Sequence, residues 1–331
     1  MKFTARANGK VNLHLGVGEV RSDGYHDLST VFMAVDRPET VTLTTLQGEV
    51  EKHPDASPLS FITEMRTTYH VQEPDEDLDT PKNLAWKAVD SICTGYMGIL
   101  AQDMSREDIK PDLPPMRLDI DKTVPVAGGM AGGSADAAAA VEAIRALITH
   151  YDRPLPDELF NYLVPALGAD VPFAQMGGIA LGTGRGDSLV PMMGRGKYWF
   201  AFLNPKVGLS TKAVFEKLDD LRFNYASMVP HMDTTTLSRA LVSGDPQLVG
   251  AAMHNDLEAA ALALRPSLQQ LIHDAEDAGA IRAMVSGSGP TVAALCADEE
   301  GAGAVVDKLA SDSVEAFVAH GPVGGAALLR P

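Results

Sequence analysis

The sequence predicts an α+β protein of two units that share one site. Three observations carry this. Period-two strand patterns dominate the first part, a glycine-rich loop there runs straight into an alanine-rich helix, and strands and helices alternate again in the last part. A length of 331 residues is long for one core and short for three. The boundary is expected near Met192 to Gly196, giving units over 1–192 and 193–331 with the site in the cleft between them.

From Lys10 to Val17 the apolar residues Val11, Leu13, Leu15 and Val17 alternate with Lys10, Asn12, His14 and Gly16. This is the period of a half-buried strand, so Lys10 and Asn12 share a face. Strand patterns recur at Leu28 to Val35, Thr40 to Leu46 and Met116 to Ile120. Glu73 to Pro81 is acidic and proline-bounded, and Pro111 to Pro115 is similar; both read as surface insertions that do no chemistry. The stretch Pro125 to Val141, PVAGGMAGGSADAAAAV, delivers a helix over Ser134 to Thr149, capped by Ser134 and burying Val141, Ile144, Leu147 and Ile148. A helix over Pro156 to Leu167 stops at Gly168, and Asp170 comes directly after that stop. The second unit offers strands at Tyr198 to Leu203, Ile281 to Val285, Thr291 to Cys296 and Val314 to Ala319. Its helices are expected at Thr211 to Leu218, Gln247 to Ala263 and Ser267 to Ala278.

Hydrophobic residues make up 45% and charged residues 21%, the composition of a folded globular protein. A net charge of -17 argues against a nucleic-acid partner, because phosphate backbones are held by clustered Lys and Arg. An anionic ligand must therefore be captured by local donors. Cys93 and Cys296 are far apart in sequence and read as buried thiols, with neither a disulfide framework nor a cysteine metal site. The opening residues MKFTARANGKVN lack the apolar core of a signal peptide, and no apolar run approaches a membrane span, which points to the cytoplasm and to no membrane partner.

Gly128, Gly129, Gly132 and Gly133 can turn successive amides toward one point, and the helix behind them adds free N–H groups and a positive dipole end. A nucleotide polyphosphate is expected at Gly128 to Ser134; the alternative is a turn that packs the helix closely. No lysine follows Gly133, so the loop is not a Walker A, and no glycine cluster has the dinucleotide spacing. Asp136 is an oddity beside phosphates. It either neighbours a cation or faces away as a first-turn charge on the helix dipole.

Three segments, ANGKVNLHL (Ala7 to Leu15), the glycine loop, and VSGSGPT (Val285 to Thr291), together resemble the GHMP kinase superfamily, which phosphorylates small alcohols with ATP. The resemblance implies a ribosomal-protein-S5-domain-2-like first domain, a ferredoxin-like second domain and an active site in the cleft. DGYH at Asp23 to His26, GADVPF at Gly168 to Phe173 and NPKVGLSTKAVF at Asn204 to Phe215 look like the branch whose acceptor is 4-diphosphocytidyl-2-C-methyl-D-erythritol, in non-mevalonate isoprenoid synthesis. Other small-alcohol branches, of homoserine or mevalonate type, and a non-catalytic nucleotide-binding regulator are the competing readings.

Carried over, the resemblance makes Asp170 the base and Lys10 its partner, orienting the carboxylate and keeping it ionised. Pro125, Val126, Ala127, Gly128, Gly129, Met130, Ala131, Gly132, Gly133 and Ser134 would wrap the ATP phosphates. Asn12 and Thr211 would contact the acceptor. Tyr25 and Phe215 would sandwich its cytosine, whose edge His26 would bond. The turn Ser286, Gly287, Ser288 and Gly289 would support the loop. Mg2+ is expected with ATP, with Ser134 as a hydroxyl ligand, and adenine near Asn83 to Lys87, Lys122 and Val124. A monomer or weak homodimer is expected.

Overall fold

The computed structural model describes residues 1–48, 60–103, 113–151 and 155–329. The first part runs β1 (Lys2–Val20), β2 (His26–Thr45), β3 (Ile62–Tyr69), α1 (Leu84–Asp103), β4 (Met116–Lys122), α2 (Gly132–His150), α3 (Asp157–Leu167), α4 (Val171–Met176), β5 (Ile179–Gly184) and β6 (Ser188–Pro191). After it come β7 (Tyr198–Asn204), α5 (Thr211–Asn224), α6 (Thr235–Ser243), α7 (Pro246–Ala252), β8 (His254–Asn255), α8 (Glu258–Leu264) and α9 (Ser267–Asp277). The last elements are β9 (Arg282–Val285), β10 (Val292–Cys296), α10 (Glu299–Leu309), β11 (Glu315–Gly321) and β12 (Ala327–Leu328).

Two sheets result. One has the strand order β12-β1-β2-β4-β3, with β5, β6 and β8 off that path; the other has the order β11-β7-β10-β9. The alternation read along β1 is present, but its polar face is covered rather than solvated: every residue from Gly9 to Gly18 is buried. One strand also passes three cores in turn. Ala5 and Ala7 pack with α1 and α2, Val11 and Leu13 with β7 and β10, and Leu15 and Val17 with α5, α8 and α9.

Several elements differ from expectation for identifiable reasons. The two strands expected before residue 46 are one 20-residue strand, β2, because Pro38 pairs with Asn8 beside a register shift, where its missing N–H breaks no ladder. The helix expected over Gln247 to Ala263 is split into α7 and α8, because His254 and Asn255 pair in parallel with His14 and Leu15 of β1. Ser134 does not cap α2. The helix starts at Gly132 with Ala131, in the left-handed region at φ 58°, as its N-cap and no side-chain cap bond. Gly168 ends α3 in an extended conformation, and Asp170 stands as the N-cap residue of α4.

The two expected insertions lie partly outside the described residues. Of the second, Leu113 and Pro115 are buried rather than on the surface. The chain's last described strand, β12, returns to the first sheet, pairing Leu328 with Ala5 and Ala327 with Arg6, and Gly324 bridges Gly177. Cys93 and Cys296 are free and buried. No helix among the described residues is long and apolar enough to cross a membrane.

Candidate active site

Lys10 is 6% exposed and sits between two breaks in the β1–β2 register. Its Nζ donates to Asn12 Oδ1 at 2.6 Å and to the Gly129 carbonyl at 2.8 Å. Asn12 Nδ2 in turn donates to Thr30 Oγ1 at 2.8 Å, and that hydroxyl donates to the His14 carbonyl at 2.8 Å. The whole polar row beneath the loop is therefore partnered, as burial demands. Burial pushes the Lys10 ammonium down from its ordinary range, and the nearby Asp170 carboxylate works against that shift. Lys10 was expected to orient Asp170 directly. Among the described residues no ion pair joins them; the Gly129 carbonyl and Asn12 take the ammonium's hydrogen bonds, so Asp170 acts on Lys10 through its field.

In the glycine loop three of the four glycines face protein rather than open space. A Cβ on Gly129, whose φ is 78°, would lie 2.1 Å from the Ser286 carbonyl oxygen. On Gly128 it would meet Thr291 Oγ1 at 2.9 Å, and on Gly132 Glu39 Oε1 at 3.1 Å. Gly133 alone is open, with Leu84 Cδ1 3.9 Å away as its nearest neighbour. The late turn buttresses this loop. Ser286 Oγ donates to the Gly129 carbonyl at 3.2 Å, and Asn255 Nδ2 donates to the carbonyls of Val285 and Gly287, each at 2.8 Å. Thr211 Oγ1 and Ser288 Oγ lie 2.9 Å apart.

Three cavities adjoin around these groups. The first, about 530 Å³, is lined by loop residues 125–129 and 131–134 except Met130, and by Thr67, Tyr69, Leu78, Asn83, Leu84, Ile120, Lys122 and Asp136. Met130 itself is buried in the core. The second, about 290 Å³, holds Lys10, Asn12, Asp170, Gly287 and Ser288 with Thr30, Phe32 and Arg185. The third, about 580 Å³, is lined by Tyr25, His26, Arg185, Phe215 and Asp219. Ala127, Gly129 and Ala131 line both the first and the second, Leu28, Arg185 and Phe215 both the second and the third, and Thr211 all three.

In the third cavity Tyr25 is 52% exposed, with the Arg185 guanidinium 4.5 Å from its ring centroid. The Phe215 and His26 rings lie 5.2 Å apart, and His26 Nε2 is 2.9 Å from Asp219 Oδ1.

Residues 83–178 match the GHMP kinases N terminal domain, and residues 237–315 match the GHMP kinases C terminal. A 4-diphosphocytidyl-2-C-methyl-D-erythritol kinase of Corynebacterium efficiens is 45% identical, the match covering 100% of this chain and 97% of that protein. The chain belongs to the 4-diphosphocytidyl-2-C-methyl-D-erythritol kinase family, within the GHMP kinases.

A kinase of the same name from Mycolicibacterium smegmatis is 39% identical over 98% of this chain and 91% of its own length. The fold agrees with a crystal structure of 4-(cytidine 5'-diphospho)-2C-methyl-D-erythritol kinase at a TM-score of 0.70 and 23% identity, covering 98% of this chain and 100% of that one. This kinase is thus an ATP-dependent phosphotransferase, and the α+β GHMP kinase fold is its fold.

Two clusters of this kinase went unread in its sequence. Asp136 does not face away: it is buried and neighbours a cation of the protein itself, accepting from Lys122 Nζ, which also pairs with Glu39 Oε1 at 3.0 Å. Glu39 accepts from the amides of Thr123 at 2.8 Å and Val124 at 3.1 Å, so the triad pins the strand leading into the loop. Burial, reinforced by Asp136, pushes the Glu39 carboxyl up to about 7. Burial opposes the Lys122 charge, yet Asp136 and Glu39 outweigh it and hold the ammonium above its ordinary range. Arg185 and Asp219 are the second omission. The acidic segment before residue 81 also contributes more than surface: Leu78 lines the first cavity, and Asp79 accepts from the Thr67 amide at 3.0 Å and from its hydroxyl at 2.5 Å. Of the residues expected around adenine, Asn83 and Lys122 line that cavity, whereas Lys87 and Val124 do not.

Proposed function

We propose that this kinase transfers the γ-phosphoryl group of ATP to the C2 hydroxyl of 4-diphosphocytidyl-2-C-methyl-D-erythritol, in the cytoplasm, for non-mevalonate isoprenoid precursor synthesis. The carrying observation is the row of three adjoining cavities with Thr211 in all of them. A donor nucleotide, a reacting alcohol and a nucleoside tail need that order in space. Residues 1–192 form the donor half and 193–331 the other, apart from the returning strand β12.

In this reading the amides of Gly128 to Ser134 and the start of α2 hold the phosphates, and Pro125, Val126 and Ala127 line the ATP site beside them. Asp170, at the N-cap of α4, accepts the hydroxyl proton late, as bonding to phosphorus acidifies the alcohol. Lys10 offsets the developing charge from beneath the loop, and Asn12 holds the erythritol hydroxyls. Ser286, Gly287, Ser288 and Gly289 keep the loop in place. Tyr25 and Phe215 stack on the cytosine, His26 reads its edge, and Arg185 lies where the diphosphate passes from the third cavity to the second.

Mg2+ accompanies the nucleotide. The donor set fits a metal held chiefly by phosphate oxygens, because Ser134 offers a hydroxyl at the loop while the Asp136 carboxylate is bonded to Lys122. Among the described residues no cluster of three or more His, Cys, Asp or Glu forms an all-protein cage. When bound, the metal neutralises charge on the transferring group.

The test is ADP release with the cytidyl alcohol, homoserine and mevalonate compared. The cytidyl alcohol is the preferred acceptor, and Asp170→Asn lowers turnover by about 10² to 10⁴ while leaving ATP affinity intact. Wild-type turnover in that variant overturns the base assignment.

A further inference from the structure

His26 is almost fully buried, with 5% of its side chain exposed, yet it lines the third cavity. One ring nitrogen is committed: Nε2 lies 2.9 Å from Asp219 Oδ1. The other, Nδ1, has no hydrogen-bond partner among the described residues. Phe215, one turn before Asp219 on α5, packs its ring 5.2 Å from the imidazole. One helix therefore supplies both the stacking ring and the carboxylate.

A carboxylate is an acceptor only, so the nitrogen facing it must carry a proton. In a neutral imidazole the remaining nitrogen is then an acceptor. Cytosine presents an amino donor at its C4 edge where uracil presents a carbonyl acceptor. An imidazole acceptor pairs with the first and meets a lone pair on the second, which is the arrangement that discriminates between isosteric bases.

We propose that Asp219 is a positioning residue that fixes the proton of His26 on Nε2 and leaves Nδ1 to accept from the 4-amino group of cytosine, so that the site selects a cytidine over a uridine tail. The proposal rests on the reading that the third cavity takes the nucleoside end of the acceptor. It reaches beyond that reading by assigning base selection to a residue that does not touch the base.

The probes are CDP and UDP, titrated calorimetrically against the full chain, with nitrogen NMR of the His26 ring. In the wild type the ring is protonated at Nε2 and CDP binds more tightly than UDP. Asp219→Ala weakens CDP by about tenfold, the scale of one lost hydrogen bond, and leaves UDP unchanged, collapsing the preference. ATP affinity is retained in the variant. Protonation at Nδ1 in the wild type overturns the proposal without recourse to any variant. If the wild type prefers CDP and Tyr25→Ala weakens it, while Asp219→Ala keeps the preference, the role of Asp219 falls and the cytosine cavity stands. If CDP and UDP bind alike and Tyr25→Ala changes neither, both fall together.

Discussion

Lys10 Nζ is bonded to the carbonyl oxygen of Gly129 at 2.8 Å, which ties the lysine of strand β1 to the glycine-rich loop. The same carbonyl also accepts from Ser286 Oγ. Glycine loop, late turn and buried cation therefore meet at one oxygen.

Removing the cation tests that junction. Lys10→Met leaves the Asn12 and Gly129 acceptors short of a donor and withdraws positive charge from the second cavity, where the proposed function puts the alcohol. Turnover is expected to fall by about 10² or more, in the range seen when one charge-stabilising donor is deleted, and ATP affinity is expected to weaken with it. Lys10→Arg does not restore turnover, because a planar fork cannot replace a compact ammonium in so buried a site. Steady-state kinetics over both substrates reads both outcomes.

The glycines divide into two classes that substitution separates. Gly129→Ala drives a methyl into the Ser286 carbonyl and lowers both the thermal midpoint and ATP affinity. Gly133→Ala has room, so its stability holds or rises by up to about 1 kcal/mol of helix preference, while its methyl enters the first cavity and, if that cavity takes the nucleotide as proposed, weakens ATP. Paired melts and ATP titrations distinguish them.

Glu39 gives a pH signature. Its carboxyl lies at about 7 in the folded chain against 4.5 when free, raised by burial and by Asp136. Its contribution is fully present below pH 4.5 and is lost as the pH rises to about 7, because over that window the unfolded chain gives up the proton more readily. Glu39→Gln cannot titrate, so the fall in thermal midpoint across the window is shallower than in the wild type. Parallel slopes in melts taken from pH 4.5 to 7 contradict the assignment.

Stacking at the nucleoside end is tested by Tyr25→Ala. The variant loses roughly 1 to 3 kcal/mol of acceptor affinity, the worth of one base on one ring, and turnover at saturating acceptor stays near wild type. An unchanged acceptor KM contradicts the sandwich.

Lys10 and Asn12 were legible because period-two alternation fixes which residues share a face, and the hydrogen bond between their side chains shows that they do. The helix after the loop was legible for the same reason, since Ile144, Leu147 and Ile148 fall on one buried stripe. Its start was not. Ser134 looks like a cap by residue type, but two glycines let the helix begin earlier from a left-handed alanine, a backbone choice that no side-chain rule encodes. Asp219 and Arg185 were illegible for another reason. Each reads locally as a solvated charge, and each gains its role from an aromatic partner distant in sequence, Asp219 from His26 across 193 positions. The Glu39, Lys122 and Asp136 triad is likewise a product of topology, in which β2, β4 and α2 converge.

Strand β1 contributes to three of the hydrophobic cores and receives β8 from the middle of the second half and β12 from its end. A polypeptide severed near residue 192 would leave the first fragment without two of that strand's neighbours and the second without the strand that β8 and β12 pair with. The halves are thus reciprocal: each completes the other's architecture, and the row of cavities is a seam sewn from both sides.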